Sequence, residues 1–478
     1  DIMNRRERPA GFYLASRDFE LAELNRLYDT DTFQLAVIYG RRRIGKTTII
    51  NEFIKDKEVI YFTGVESNEK QNLANFSRSI IEYETGQEAE LIYPSFQSAF
   101  EQVFRLAQDR RLVLVIDEYP YVARSARSLA STLQMLIDKN REQSKLFIIL
   151  CGSSMSYMED EVLSYKAPLY GRKTAQFKIQ PFDFKETCEY LKDFNDLDKA
   201  FIYGIIGGTP QYLSYVDPET DIESNVKSLY LKSTSPLFDE PNSLIKLEMK
   251  DPAAYTAIIS AIADGYTKLG DIASKAGIST ALCANNIRQL ISLGIVRKEL
   301  PVGEHKTKKT LYSLEDNMFK FWYRFIPENI SAINLRATDT VYSNRIAPFL
   351  PEYMGYIFED ISKQYLWKLL IKDKSPVRFV SLGRWWGADE KRKTETEIDI
   401  MGIESKDKAL FGECKWTNTP VDKPVLDSLL EKGDLFNFSD KYYYLFSKTG
   451  FTDRCIEAAQ QNRNINLVSY ADIAESNK

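Results

Sequence analysis

Residues 34–54 read QLAVIYGRRRIGKTTIINEFI. Gln34–Tyr39 is a compact apolar run, as expected of a strand buried on both faces. It ends at Gly40, where Gly40-Arg41-Arg42-Arg43-Ile44-Gly45-Lys46-Thr47 follows the pattern GxxxxGK[ST], with Thr48 opening a helical stretch. Strand, loop and helix are the context this phosphate-binding motif requires. Its glycines let the loop wrap a phosphate closely, while backbone N–H groups and the helix N-terminus face the anion. Lys46 would reach the β- and γ-phosphates, and the Thr47 hydroxyl would ligate Mg²⁺. The expected cofactors are therefore ATP and Mg²⁺.

Further apolar runs lie at Val59–Phe62, Arg111–Ile116 and Lys145–Leu150, separated by helical patterns. That alternation predicts an α/β core with a parallel sheet. One run continues as VLVIDE and ends in Asp117-Glu118. An acidic pair at a buried strand end suits Mg²⁺ binding through Asp117 and polarisation of the attacking water by Glu118. The same pair also occurs as a plain solvated loop start. The next run ends in Cys151-Gly152-Ser153-Ser154, where a hydroxyl, taken here as Ser153, can sense the γ-phosphate. A simple Gly-Ser turn is the alternative.

The chain has 478 residues, room for roughly three domains at about 150 residues each. Its 63 Lys+Arg against 68 Asp+Glu leave a net charge of −5, which disfavours a uniformly basic nucleic-acid binder but permits a local basic patch. The single histidine, His305, rules out the two-histidine zinc protease motif and Cys/His zinc fingers. Any Ser-His or Cys-His nucleophile system would depend on it alone. Metal chemistry must then rest on carboxylates and a hard cation. Five scattered cysteines without a CxxC pair fit reduced thiols. The N-terminus lacks an apolar signal segment, and no apolar run approaches the ~20 residues of a membrane helix. A soluble cytoplasmic protein, with no membrane partner, is expected.

Residues 264–314 fit a winged helix-turn-helix. LGDIASKAGI gives a short helix, Ser279-Thr280 cap the next, and ALCANNIRQLISLGIV gives an amphipathic second helix. Leu282, Ile287, Leu290 and Leu293 are expected on its apolar face, with Asn285, Asn286, Arg288 and Gln289 polar. Two strands then flank a basic turn, His305-Lys306-Thr307-Lys308-Lys309. The module can place a helix in a major groove and its wing on phosphates. It can equally serve as a packing or protein-contact module, since Arg288 is the only basic residue of its helix.

Near the C-terminus, TEIDIMGI and ALFGECKW flank the loop ESKDK and predict a β-hairpin. A turn centred near Lys406 sets Asp399 opposite Glu413, and Glu413 shares a strand face with Lys415. Asp, Glu and Lys on one patch can hold Mg²⁺ and orient water. Glu359, on an upstream helix, offers a further carboxylate. Arg384, Lys391, Arg392 and Lys393 can contact phosphates or simply be solvated. An exposed hairpin of alternating charge is the plain alternative.

Together these motifs resemble an archaeal-type P-loop ATPase of the AAA+/STAND group, also found in bacteria. Ser16-Arg17-Asp18-Phe19-Glu20-Leu21 is similar to the family's gRexEl box and implies Arg17 near the adenine, although Ser16 stands where the family usually has Gly. PLYGRKT, residues 168–174, resembles the PLYGR element and implies that Arg172 is an arginine finger or sensor. Gly207-Gly208-Thr209-Pro210-Gln211-Tyr212-Leu213 resembles the GGxPxYL box, which implies Pro210 near the nucleotide at the helical lid. Glu359, Asp399, Glu413 and Lys415 fall on the motif positions of the PD-(D/E)xK nuclease-like domain found at the C-terminus of the same family. The segments GRWWG (383–387) and YYLFSKTGF (443–451) also look like that domain.

The expected organisation is an ATPase core at 1–180, a helical lid at 181–250, a winged helix at 251–316, a connector at 317–350 and an α/β restriction-endonuclease-like domain at 351–478. The expected catalytic residues are Glu118, Arg172, Glu413 and Lys415. Nucleotide contacts are expected from Arg17, the loop Gly40–Thr48, Asp117, Ser153 and Pro210, and metal contacts from Thr47, Asp117, Glu359, Asp399 and Glu413. The leading expectation is an ATP-hydrolysing switch coupled to a nucleic-acid-binding or nuclease-like domain, with nucleotide-dependent self-association as a further partner reading. The alternatives are a regulatory protein-binding module with an inactive nuclease fold and an ATP-responsive DNA-binding regulator.

Overall fold

The computed structural model describes residues 17–87, 91–304, 309–389 and 392–477. His305, Lys306, Thr307, Lys308, Ser16 and Lys391, named above, lie outside them. The chain divides into two compact units. One runs to Phe182 and includes Thr209–Ser214; the other comprises Asp183–Gly208 and Tyr215 onward.

The first unit is built on five parallel strands, β1 (Gln34–Tyr39), β2 (Val59–Thr63), β3 (Leu112–Asp117), β4 (Leu146–Gly152) and β5 (Ala175–Lys178). Their order is β2-β3-β4-β1-β5. Every residue of β1, β3 and β4 is buried, which is why these strands read as unbroken apolar runs. β5 is the strand that apolar runs do not announce. Its four residues, AQFK, bury only Phe177, as an edge strand permits. Since all five strands are parallel, the loops after β1, β3 and β4 leave the same edge, where α/β sheets place their ligands.

In the second unit, the helices Phe184–Tyr190, Asp196–Ile206, Ile222–Tyr230 and Glu240–Glu248 precede the helix pair Leu269–Ala276 and Thr280–Ser292. Ser279 caps the latter by accepting from the Leu282 N–H at 3.2 Å. The buried face of that helix is Cys283, Asn286, Ile287 and Leu290. Leu282 is 44% exposed and Asn286 is buried, so the expected polar and apolar assignments at these two positions are reversed. The antiparallel pair β6 (Val296–Glu299) and β7 (Leu311–Leu314) follows.

The expected connector is a packed element. Asn317 Nδ2 donates to the Tyr203 carbonyl at 2.9 Å, Trp322 Nε1 donates to the Phe238 carbonyl at 2.7 Å, and the Asn317 carbonyl accepts from Tyr353 Oη at 3.2 Å. The C-terminal part carries the long helix Leu350–Ile371 and a mixed sheet of β8 (Ser381–Asp389), β9 (Thr394–Ser405), β10 (Lys408–Lys415), β11 (Asp440–Ser447) and β12 (Ile465–Ser469). The order is β12-β11-β10-β9-β8; β8, β9 and β10 pair antiparallel, and β10, β11 and β12 pair parallel. The β6–β7 segment is tied to this domain. Val302 donates its N–H to the Arg384 carbonyl at 3.1 Å and packs with Trp385 and Ile403. Asp360 of the long helix takes Arg297 of β6 at 2.9 Å, Lys363 at 2.9 Å and Lys320 at 3.2 Å. Burial would raise the Asp360 carboxyl, but the three cations hold it well below the usual carboxylate range.

The corrected helix face makes a direct comparison. Leu290→Ala should lower stability by about 2–5 kcal/mol, whereas Leu282→Ala should change it by less than about 0.5 kcal/mol. Urea denaturation of the two variants, followed by circular dichroism, measures both.

Candidate nucleotide site and C-terminal carboxylate site

The loop after β1 is shaped by close approach. A Cβ on Gly40 would stand 2.6 Å from the Ile179 carbonyl oxygen and 2.3 Å from Ile44 Cδ1. Arg43 (φ 75°) and Gly45 (φ 86°) are left-handed, and Gly45 caps the helix Lys46–Ile54. Such residues let successive backbone N–H groups converge on an anion. Lys46 is buried, and its Nζ donates to the Gly40 and Arg41 carbonyls at 2.8 and 2.9 Å. The ammonium is thus folded over the loop it is expected to serve.

Asp117 stands at the end of β3. Its Oδ1 accepts from the Glu118 N–H at 2.9 Å; its Oδ2 accepts from Tyr61 Oη at 2.8 Å and Thr47 Oγ1 at 3.3 Å. Thr47 and Asp117 therefore offer two hard oxygen donors side by side. This fits Mg²⁺, which binds through one or two protein oxygens and completes its shell with phosphates and water. Among the described residues no group of three or more His, Cys, Asp or Glu side chains is arranged to hold a metal.

Glu118 adopts φ 50°, a left-handed conformation rare outside glycine. Ser153 Oγ lies 3.0 and 2.9 Å from its two carboxylate oxygens. The serine at the tip of β4 thus meets the glutamate at the tip of β3. Ser154 instead accepts from Arg124 Nη2 at 3.1 Å, which separates the roles of the two serines.

The remaining expected contacts divide. Arg17 is buried, donates to the Gln180 carbonyl at 2.7 Å and lies 4.7 Å from the Phe182 ring centre. Arg41 donates to Thr209 Oγ1 at 2.8 Å, Arg42 to Tyr121 Oη at 2.9 Å, and Arg43 lies over the Tyr212 ring. The segment carrying Pro210, itself buried, is thereby joined to the phosphate loop. Ile44 is fully buried and anchors the loop, while Thr47 is exposed and Thr48 half-buried. Arg172 is engaged elsewhere: its Nε and Nη2 donate to the Asp138 carboxylate at 3.0 and 2.8 Å. Tyr61 has no motif of its own in the sequence, and Thr209 fills a variable place of the GGxPxYL box; strand pairing and packing bring them here.

In the C-terminal domain the β9–β10 ladder pairs Gly412 with Ile400, so its next step sets Glu413 beside Asp399. The Cys414 N–H donates to Asp399 Oδ2 at 2.9 Å. Glu413 is buried and clasped by two lysines, Lys415 on Oε1 and Lys432 on Oε2, each at 2.7 Å. Burial opposes its charge, but Lys432 and Lys415 hold its carboxyl below the ordinary value. Burial, then the Asp399 charge, pushes Glu359 up; burial, then the Glu413 charge, pushes Asp399 up. Of the expected metal carboxylates, Glu359 feels the charge of Asp399 and Asp399 that of Glu413, while Lys415 and Lys432 both pair with Glu413. Lys432 lies on the helix Lys423–Gly433, outside the hairpin pattern that draws attention to the other residues. Arg384 meets Glu397 at 3.0 Å and Arg392 meets Glu431, so both basic residues are ion-paired.

Residues 14–216 match the family described as an ATPase domain predominantly from Archaea. Residues 322–425 match a family of archaeal and bacterial proteins of unknown function. An uncharacterized protein of Methanocaldococcus jannaschii is 33% identical over 443 residues, covering 90% of this chain and 95% of that protein. An uncharacterized ATP-binding protein of the same organism is 39% identical over 44 residues, 9% of this chain and 75% of that protein. Among solved structures, a Walker-type ATPase of Pyrococcus abyssi aligns with TM-score 0.49 and 18% identity, covering 65% of this chain and 96% of that one. Cdc6p of Pyrobaculum aerophilum aligns with TM-score 0.34 and 14% identity, covering 71% and 97%.

The crowding at Gly40 sets an expected outcome. Gly40→Ala must push the loop off the Ile179 carbonyl, costing about 1–3 kcal/mol and weakening nucleotide binding. A thermal melt with and without ATP reads both effects.

Proposed function

The chain belongs to the family of P-loop ATPases found predominantly in Archaea, and on that footing we propose that it binds ATP·Mg²⁺ at the loop Gly40–Thr48 and hydrolyses it as a molecular switch. The observation that carries the reading is the meeting of three strand ends: Thr47 beside Asp117, and Ser153 on Glu118. Mg²⁺, when bound, would be held by Thr47 and Asp117 and would neutralise phosphate charge. Lys46 would leave its two carbonyl partners for the phosphate oxygens, exchanging neutral acceptors for charged ones. Glu118 would accept a proton from the attacking water, with Ser153 holding its carboxylate until nucleotide arrives. Arg17 is assigned to the adenine side of the site. Arg172, paired with Asp138, can act on nucleotide only after leaving that carboxylate.

Lys46→Ala should abolish ATP turnover. Glu118→Gln should keep nucleotide binding and slow turnover by about 10²–10⁴-fold. Phosphate release and ATP binding, measured on the same preparations, separate the two effects. Unchanged turnover in Lys46→Ala would end this reading.

The C-terminal domain is proposed to act on or bind nucleic acid, through the patch of Asp399, Glu413, Lys415 and Lys432 with Glu359 behind it. The two-lysine clasp on Glu413 favours a second reading, a regulatory module whose nuclease-like fold binds without cleaving. Plasmid incubation with Mg²⁺ or Mn²⁺ decides. Cleavage lost in Glu413→Ala and Lys415→Ala supports the nuclease, whereas no cleavage in any nucleotide state supports the binding module.

A further inference from the structure

We propose that Tyr61 is a positioning residue for the Asp117 carboxylate, holding it in the orientation that receives Mg²⁺ beside Thr47. The inference rests on the ATP·Mg²⁺ reading and adds to it a residue that no motif marks.

The argument begins with strand register. β2 and β3 pair parallel, with Tyr61 opposite Val115 and Thr63 opposite Asp117. Side chains two apart on a strand share a face, so Tyr61 and Asp117 emerge from the same side of the sheet. Asp117 lies two residues further along, about 7 Å at the usual rise per residue. A tyrosine spans that offset, whereas a serine or threonine at position 61 would not. Tyr61 Oη accordingly reaches Asp117 Oδ2 at 2.8 Å.

The hydrogen bonds around Asp117 show what this contact does. Oδ1 is held by the Glu118 N–H just past β3 and Oδ2 by Tyr61 of β2, so both carboxylate oxygens are fixed. Thr47 adds a longer contact of 3.3 Å to the same Oδ2. Of the three donors, Thr47 alone belongs to the expected metal ligands. The Tyr61 ring is packed against the same core as Ile38, Val113, Val115 and Cys151. A hydrogen-bonded partner of this kind orients a metal-binding carboxylate without touching the metal itself.

The test uses the full chain, treated with EDTA, and a non-hydrolysable ATP analogue whose binding is followed calorimetrically as MgCl₂ is added. Tyr61→Phe keeps the ring and removes one hydroxyl. It should leave binding in EDTA unchanged and raise the Mg²⁺ concentration needed for half the metal effect by about 10-fold. Tyr61→Met, another side chain without a hydroxyl, should show the same shift should the phenylalanine variant fold poorly. A half-effect concentration equal to wild type in a folded variant would overturn the assignment of Tyr61 while leaving the ATP reading intact. Wild-type protein that binds no analogue at all would overturn the ATP reading, and this inference with it.

Discussion

Burial of a parallel sheet on both faces is the constraint from which the nucleotide site follows. β1, β3 and β4 have no exposed residue, so their polar chemistry is confined to their ends. Parallel pairing then sends those ends to one edge. There Lys46 and Thr47 begin a helix, Asp117 and Glu118 end a strand, and Ser153 follows another. None of these side chains needs a long loop to reach the others. The hydrogen bonds Thr47–Asp117 and Ser153–Glu118 are the local result.

Much of this was legible in the residues because the physics is local. A strand covered on both faces must be apolar at successive positions, and a loop around phosphate needs glycine where side chains would collide. The four runs from Gln34 to Leu150 and the loop at Gly40 announce themselves for those reasons. β5 does not, because an edge strand of four residues buries little. Leu282 and Asn286 were misassigned because one helical turn offers two neighbouring faces, and only packing against the rest of the module selects between them. Tyr61 was invisible for another reason: its role depends on which strand lies beside β3, and strand order is not written in either strand.

The carboxylate hairpin was a different case. Equal spacing about the turn set Asp399 beside Glu413, and the ladder leads to that pairing. The spacing carried no information about Lys432, which arrives from a helix and takes the second oxygen of Glu413. Nor did it show how crowding would act on the acids. Burial and like charge raise the carboxyls of Glu359 and Asp399, while the lysines hold that of Glu413 below its ordinary value.

The carboxylate of Asp360 has a wider consequence. It collects one cation from β6, one from the aromatic helix Asn317–Phe325 and one from its own helix. Leaving such a part-buried carboxylate without a partner is costly, though less so than the about 3–5 kcal/mol of a fully buried pair. A hinge between β6 and the C-terminal domain would have to bear that cost at every swing, and Arg297 is the residue through which the cost acts.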